Sequence, residues 1–185
     1  MTVLSFTVVF HSPFRVGSAY ARDGVDAPLD QHDPLPPDHL KGMMRAAATD
    51  VLNLPQARIG EVFGSTRTPS PWSWSSAAPP GKWDFSYRHR VRIDPDTHSA
   101  LKDHVVLGEQ AWSSTARFEV SQAGAIQSDA AQRQHVLVLR CSAAAVHGLG
   151  AWRRRGLGWI GITPDDGPVT AADVTELRKL AEAAP

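Results

Sequence analysis

The chain has 185 residues, and its 19 lysines and arginines are balanced by 19 aspartates and glutamates. This length fits a single domain, and the balanced charge means that any nucleic-acid surface must come from local clustering of arginine. The single cysteine, Cys141, excludes an internal disulfide framework and a cysteine-rich zinc site. No apolar run approaches the roughly 20 residues that span a bilayer, so we expect a cytoplasmic protein without membrane contact.

The first part of the chain predicts a strand, a long connection and a helix. Apolar residues occupy every second position within residues 2–11, which is the period of a strand with one face in a core. Residues 12–36 are polar and rich in aspartate. Apolar residues then recur at helical spacing over 40–52, with Asp38 as the expected N-cap and Pro55 as the expected end of the helix.

The middle of the chain changes in composition. Residues 63–83 are rich in Ser, Pro, Thr and Trp and show neither helical nor strand periodicity, which predicts an inserted loop over 64–86. Alternating patterns predict strands at 87–93 and 115–120, with a further short strand at 105–107.

The last third predicts a helix, a glycine-rich loop, a strand and a final helix. Asp129 is the expected cap of the first helix, and the last strand is predicted at 159–163. Thr170 and Asp173 have the spacing of a capping box, so the final helix is expected within 168–185.

These elements follow the order strand, helix, strand, strand, helix, strand. That order predicts an α+β, ferredoxin-like (RRM-like) βαββαβ core with a long first loop and a Pro/Ser/Trp-rich insertion. The whole chain, 1–185, is expected to be one domain. A fold of this kind says little about function, which has to be argued from particular residues.

Several groups of side chains suggest contacts with phosphate or bases, and each has a simpler structural explanation. Lys41 and Arg45 lie four residues apart near a helix start, and either bind phosphate or keep the surface soluble. Arg88, Arg90 and Arg92 share one face of a strand, which is either basic or merely solvated. Arg153, Arg154 and Arg155 lie among glycines that let backbone amides approach a phosphate, or that simply form a turn. Trp72, Trp74 and Trp83 either pack the insertion down, stack on bases or contact a neighbouring subunit.

Six short motifs in a fixed order identify a resemblance to a known family. In chain order they are FHSPFRVGS, DGVDAPL, PLPPDHLKGMMR, VFGS, HRVRIDPDTHSAL and GLGAWRRRGLGWI. Together they resemble the backbone, repeated subunit of type III CRISPR RNA-guided effector complexes, in the RAMP superfamily. Residues 37–39 depart from the family, which usually has a Gly-Ser-Ser step there, and the middle of the chain is short for such a subunit.

The resemblance implies partners and site residues. The partners would be CRISPR guide RNA, target RNA, other effector subunits, and further copies of the chain or related subunits. The resemblance makes Asp26 the residue that cuts target RNA, with a divalent metal ion such as Mg²⁺ as a candidate cofactor. The expected RNA-binding residues are Arg15, Lys41, Arg45, Arg88, Arg90, Arg92, Gly150, Arg153, Arg154, Arg155 and Gly156. No metal site formed by protein side chains alone is expected.

A loop carboxylate beside an RNA phosphodiester can help to hold a divalent ion or help to deprotonate the attacking 2′-hydroxyl. The other loop aspartates, Asp23, Asp30 and Asp33, do not carry the family match and are expected to form turns or to stay solvated. An endoribonuclease subunit is therefore the leading hypothesis.

Three alternatives stay open at this point. The first is a guide-RNA packaging subunit that cuts nothing. The second is an endonuclease that processes CRISPR repeat RNA, for which His11, His32 and His39 are candidate acids or bases. The third is a dimeric protein-interaction scaffold that binds no RNA.

Overall fold

The computed structural model describes residues 2–18 and 22–183. In chain order these residues form β1 (Val3–Phe10), α1 (Pro37–Asp50), α2 (Gln56–Phe63), β2 (Trp72–Trp74), β3 (Asp84–Ile93), β4 (Ala100–Trp112), β5 (Thr115–Gln122), α3 (Asp129–Ala144), β6 (Ile160–Pro164) and α4 (Ala171–Glu182). No helix in these ranges is long and apolar enough to cross a membrane. The protein is thus a mixed α+β structure, as predicted.

The main sheet has the strand order β2-β5-β1-β6, and all of its pairings are antiparallel. The alternation predicted for β1 is confirmed, because Phe6, Val8 and Phe10 are buried. Phe6 lies opposite Phe118 of β5, and their rings stack with centroids 5.1 Å apart. The inward residues of these strands form the core together with the buried residues of α1, α2 and α3.

The start of α1 differs from the prediction. Its N-cap is Pro36, without a side-chain cap, and Asp38 lies in the first turn, so the expected Asp38 cap is wrong. Pro37 suits the first helical position, since it has no N–H to leave unpaired, and Asp38 interacts favourably with the helix dipole. Pro55 does not end this helix; it is the N-cap of the separate helix α2.

The two later helices also test the predicted caps. The hydroxyl of Ser128, not the carboxylate of Asp129, caps α3 by accepting from the Ala131 N–H at 3.2 Å. Thr170 and Asp173 form the expected reciprocal capping box at the start of α4. A serine one residue upstream serves as well as aspartate here, because either side chain can accept from the first turn.

Part of the predicted inserted loop belongs to the core. Trp72 and Trp74 lie in β2 at the edge of the main sheet. The prediction that this segment contains no strand is therefore wrong. Both rings are buried, with 3% and 8% of their surface exposed. Trp83 packs edge-on against Phe10 and Phe14, with ring centroids 5.7 and 5.2 Å away. All three tryptophans therefore pack the segment onto the body of the protein.

A second sheet consists of the hairpin β3–β4 alone. The predicted strands at 87–93 and 105–107 are parts of these longer strands. The base of the hairpin is tied to the core through an antiparallel bridge between Phe14 and Ala111. Beyond this base most side chains of the hairpin are exposed, so it extends the protein beyond its main core.

We predict that Trp74→Ala lowers the free energy of unfolding by about 3–5 kcal/mol, because it empties a buried indole site. Trp159→Ala is the matched control: that ring is 61% exposed, and its removal should change stability by no more than about 0.5 kcal/mol. Urea denaturation of both variants measures the difference. Equal stabilities would contradict the assignment of Trp74 to the core.

Candidate nucleic-acid interface

The acidic loop is docked on β4. The Ala27 N–H donates to the Leu107 carbonyl at 3.1 Å, and the Glu109 N–H donates to the Ala27 carbonyl at 3.0 Å. Ala27 thereby pairs in parallel with Gly108, as a short extra strand would. The loop segment on either side of Ala27 consequently has a defined position on the hairpin.

The buried carboxylate of Glu109 holds this segment from below. Its side chain is ion-paired with Arg22 and also accepts from the Leu29 N–H at 3.1 Å and from the Gln31 amide at 3.0 Å. Only 1% of Glu109 is exposed, so these partners compensate a carboxylate that water does not reach. Sequence reasoning missed Glu109, since nothing in the local pattern separates it from an exposed strand glutamate.

Arg15 holds the same segment from another side. Its guanidinium donates to the carbonyls of Ala27 and Pro28, both at 3.1 Å, and only 9% of the residue is exposed. Burial lowers the pKa of Arg15, and the nearby Glu109 carboxylate opposes that shift. In this structure Arg15, one of the predicted RNA-binding residues, makes internal contacts.

The carboxylate of Asp26 is exposed and held at one oxygen. Its Oδ2 accepts from the Leu107 N–H at 2.7 Å. Within the described ranges its other oxygen, Oδ1, has no hydrogen-bond partner. One hydrogen bond thus orients the carboxylate while an oxygen stays free to accept a proton.

Of the other loop aspartates, Asp30 forms a turn, as expected, whereas Asp33 makes a contact distant in the chain. Asp30 accepts from the His32 N–H at 2.9 Å, which closes an Asx turn. Asp33 accepts from the Ser76 hydroxyl at 2.9 Å and joins the loop to the segment after β2. Asp23 is exposed.

The donor set around Asp26 does not form a metal site by itself. In the part of the chain that the structure describes, no three His, Cys, Asp or Glu side chains come together as ligands. Mg²⁺ prefers six oxygen ligands, and Asp26 contributes a single carboxylate. Protein ligands alone therefore do not fit this ion.

Trp152 joins the glycine-arginine loop to the hairpin. Its indole lies over Gly108, where a β-carbon would be only 2.2 Å from the ring. The guanidinium carbons of Arg15 and Arg90 lie 5.0 and 4.7 Å from the ring centroid, which is the geometry of cation–π contacts. Trp152 has a φ of +62°, a left-handed conformation that is costly for a bulky residue.

Sequence reasoning singled out the arginines beside Trp152 and overlooked the ring that positions them. One signal in the sequence could have identified this ring. An aromatic residue inside a glycine- and arginine-rich turn would be exposed to water unless it packed against another part of the chain.

The predicted glycines have different roles. Gly150 has a φ of +71°, and a β-carbon there would lie 2.2 Å from the Arg15 carbonyl oxygen. The next amide, that of Ala151, donates to the same carbonyl at 2.7 Å. Gly150 is therefore needed for a close approach within the protein. Gly156 also has a positive φ, of +80°, but a β-carbon there would meet no described atom within 4 Å, so this glycine borders open space.

The contacts of Trp152 bring two sets of arginines to one region, which we call the basic surface. Arg90 stacks on Trp152, and Arg88 pairs across the hairpin with Gly108, directly beneath that ring. The other members follow Trp152 in a 3₁₀ turn and are exposed: Arg153, Arg154 and Arg155. Arg92, further along β3, is exposed too.

Lys41 and Arg45 make contacts elsewhere. The Lys41 ammonium lies 5.3 Å from the centroid of the Trp74 ring, and Arg45 donates to the Gly64 carbonyl at 3.1 Å. Both side chains are partly buried. They hold the segment from α2 to β2 against α1, and no contact in the described ranges joins them to the basic surface.

His39 fastens the start of α1 to the glycine-arginine loop. The Gly150 N–H donates to its Nε2 at 3.1 Å, which requires a neutral ring with the proton on Nδ1. Burial lowers the pKa of His39, and the positive charge of Arg153 lowers it further. His39, a candidate base for an RNA-processing enzyme, is thus occupied by a structural hydrogen bond.

Comparison with known proteins identifies the family of the chain. Residues 7–161 match the model of the RAMP superfamily, and the chain therefore belongs to that superfamily. No curated protein matches the sequence.

Solved structures with a similar fold include two chains of Cmr-beta complexes. A chain of the "Type III-B Cmr-beta Cryo-EM structure of the Apo state" superposes with a TM-score of 0.69 at 11% identity, covering 91% of this chain and 99% of that one. A chain of the "Cryo-EM structure of the Type III-B Cmr-beta bound to cognate target RNA" gives 0.60 at 15%, covering 87% and 58%. At these identities the likeness is one of fold.

We predict that acid weakens the attachment of α1 to the glycine-arginine loop. Because the pKa of folded His39 lies below its ordinary value of 6.5, the unfolded chain binds more protons, and stability falls as the pH drops from about 7 to about 5. His39→Gln removes this contribution, so its unfolding free energy should fall less over that range. Urea denaturation at several pH values measures it.

His135 is also buried with a lowered pKa, caused mainly by burial, and supplies part of the acid sensitivity in every variant. The exposed Val3 offers the control, Val3→Ala, which removes no titratable group and should keep the dependence of the unmutated chain. A His39→Gln variant that loses as much stability on acidification as the unmutated chain would contradict the assignment.

Proposed function

We propose that the chain is a CRISPR RNA-binding backbone subunit of a type III-like effector complex, which lines up in several copies along guide RNA in the cytoplasm and cuts bound target RNA. One observation carries this proposal. The exposed Asp26 carboxylate accepts a hydrogen bond from Leu107, and the next residue, Gly108, lies beneath the Trp152 ring around which the basic surface forms. The amide that orients the carboxylate and the glycine beneath the Trp152 ring are therefore neighbours on β4. Membership of the RAMP superfamily and the fold likeness to the Cmr-beta chains support the same class.

The strand order supports a finer description of the fold. When the hairpin β3–β4 is set aside, the remaining elements run β1, α1 with α2, β2, β5, α3, β6, and form one antiparallel sheet in the order β2-β5-β1-β6. We infer that this is a ferredoxin-like core, into which the hairpin is inserted between the second and third strands.

The basic surface suits an RNA backbone. Guanidinium groups bind phosphate oxygens through paired donors, and their positive charge offsets the repulsion between the phosphates. Arg88, Arg153, Arg154 and Arg155 are exposed for such contacts, while Arg90 is partly covered by its stacking on Trp152. Guide RNA and target RNA are the proposed ligands, and other effector subunits are the proposed neighbours.

Asp26 would act as a general base in an in-line displacement. The free carboxylate oxygen takes the proton of a target 2′-hydroxyl, and the 2′-oxygen attacks the adjacent phosphorus. The bond from phosphorus to the 5′-oxygen breaks, water protonates that leaving oxygen, and the products are a 2′,3′-cyclic phosphate and a 5′-hydroxyl. The arginines stabilise the charge that builds up on the phosphoryl oxygens.

We also propose a divalent ion such as Mg²⁺ as a cofactor, held mainly by RNA and water and not by the protein. An ion at Asp26 would have to take most of its ligands from RNA phosphates and water, which is a common arrangement for Mg²⁺. Such an ion would supply charge neutralisation at the scissile phosphate.

A non-catalytic packaging subunit is the second candidate, and the Asp26 contact itself favours it. A carboxylate that accepts from the Leu107 N–H already has a structural task, since it caps an amide of β4. In that case the chain would bind guide RNA without cutting. The repeat-processing enzyme has less support, because the Nε2 of His39 accepts from Gly150.

We predict that Asp26→Asn reduces target cleavage by about 10²-fold or more, which is the usual worth of a general base. Asparagine keeps an oxygen that can accept from the Leu107 N–H, so the loop and the binding of target RNA should be retained. A reconstituted effector complex with labelled target RNA measures both cleavage and binding.

The matched control is Asp23→Asn, an exposed aspartate three residues earlier in the loop, which should cut at the normal rate. Normal cleavage by Asp26→Asn would disprove the catalytic role. If the unmutated complex binds target RNA and never cuts it, the packaging function is correct. A purified chain that carries no nucleic acid would favour the protein scaffold.

A further inference from the structure

The main sheet has one covered side and one open side. Its inward residues meet the helices, and the outward residues alternate with them along each strand. At the end of β1, Phe10 pairs with Ile160, and both are buried. The next pair along these two strands is His11 and Trp159. Because side chains alternate along a strand, both project to the open side, and both are exposed.

Trp159 has a fixed backbone and a free ring. Its carbonyl accepts from the His11 N–H at 2.8 Å, and its N–H donates to the Ser12 hydroxyl at 2.9 Å. Trp159 is 61% exposed, whereas Trp72 and Trp74 are buried. Because the backbone is fixed and an indole has only two rotatable side-chain bonds, covering the ring with a flat ligand costs little conformational entropy.

Polar side chains and glycines lie around Trp159, and the Arg153 side chain packs nearby. The His11 imidazole lies beside Gly161, with its Nε2 3.9 Å from the place of a β-carbon there. Trp159 also forms a bridge with Gly148, against which the Arg153 side chain packs, its Cδ 3.3 Å from the β-carbon position. The aliphatic part of the Arg153 side chain thus packs against the bridge partner of Trp159, at one edge of the sheet.

We propose that Trp159 is a stacking site for a single unpaired RNA base, and that Arg153 binds a phosphate next to that base. Every base offers a π-face, so such a site tolerates any sequence, and it rejects a base that is already stacked and paired in a duplex. A protein partner fits less well, because interface cores need several apolar groups together and Trp159 is surrounded by polar residues and glycines. This inference rests on the proposed RNA-binding function.

Binding of a short single-stranded oligouridine to the full-length chain tests the site. Trp159→Ala should weaken binding about 5- to 150-fold, which corresponds to one lost stacked base, whereas Trp159→Phe should stay within about threefold of the unmutated chain. The slope of log K against log salt should not change in either variant, because no phosphate contact is lost. Arg153→Gln should instead reduce that slope by about 0.7.

Two controls separate stacking from other effects. Val3→Ala removes an exposed side chain at the far end of β1 on the main sheet and should bind as the unmutated chain does. A duplex of the same length should bind Trp159→Ala and the unmutated chain equally, since its bases are not available for stacking. Light scattering of the free chain reports self-association.

The outcomes distinguish the two proposals. Unchanged affinity of Trp159→Ala for oligouridine, while the unmutated chain binds RNA, overturns the stacking site alone. A change in self-association without a change in RNA affinity overturns it in favour of a protein contact. If the unmutated chain binds no RNA even at low salt, the proposed function itself fails.

Discussion

The position of the acidic loop depends on one buried carboxylate. Glu109 accepts from Arg22, from the Leu29 amide and from Gln31, and these partners span the segment that carries Asp26. A buried, uncompensated charge costs several kcal/mol, so the ion pair and hydrogen bonds to Glu109 are satisfied only when the segment is docked on β4. The orientation of Asp26 follows from this docking, because its own hydrogen bond is to the same strand.

A second constraint joins the docked loop to the arginines. Trp152 adopts a left-handed backbone and packs where Gly108 leaves room, and both Arg15 and Arg90 stack on its ring. Since Arg15 also binds the carbonyls of the loop, three parts of the chain that are distant in sequence meet around one indole. Strain of about 1–3 kcal/mol at such a residue persists only when its neighbours hold it, which is common at functional sites.

The sequence predicted the strands and helices better than their ends or the site. Alternation over 2–11 predicted β1, and the Thr170–Asp173 spacing predicted a real cap, because local patterns determine both. The three residues of β2 are too few to show a period, so its pairing depends on β5. The catalytic role of Asp26 is a prediction from family motifs. The partners of Glu109, and those of Trp152, arise from tertiary packing, which no local pattern reports.

Hydrogen–deuterium exchange in Glu109→Ala tests most directly whether this carboxylate holds the Asp26 loop. Losing charged hydrogen bonds of about 1.5–3 kcal/mol each should make the amides of Ala27 and Leu29 exchange at least about tenfold faster, while those of β1 and β5 stay protected. Glu119→Ala, which removes an exposed glutamate of β5, should leave every segment unchanged. Unaltered protection of Ala27 and Leu29 in Glu109→Ala would contradict the account.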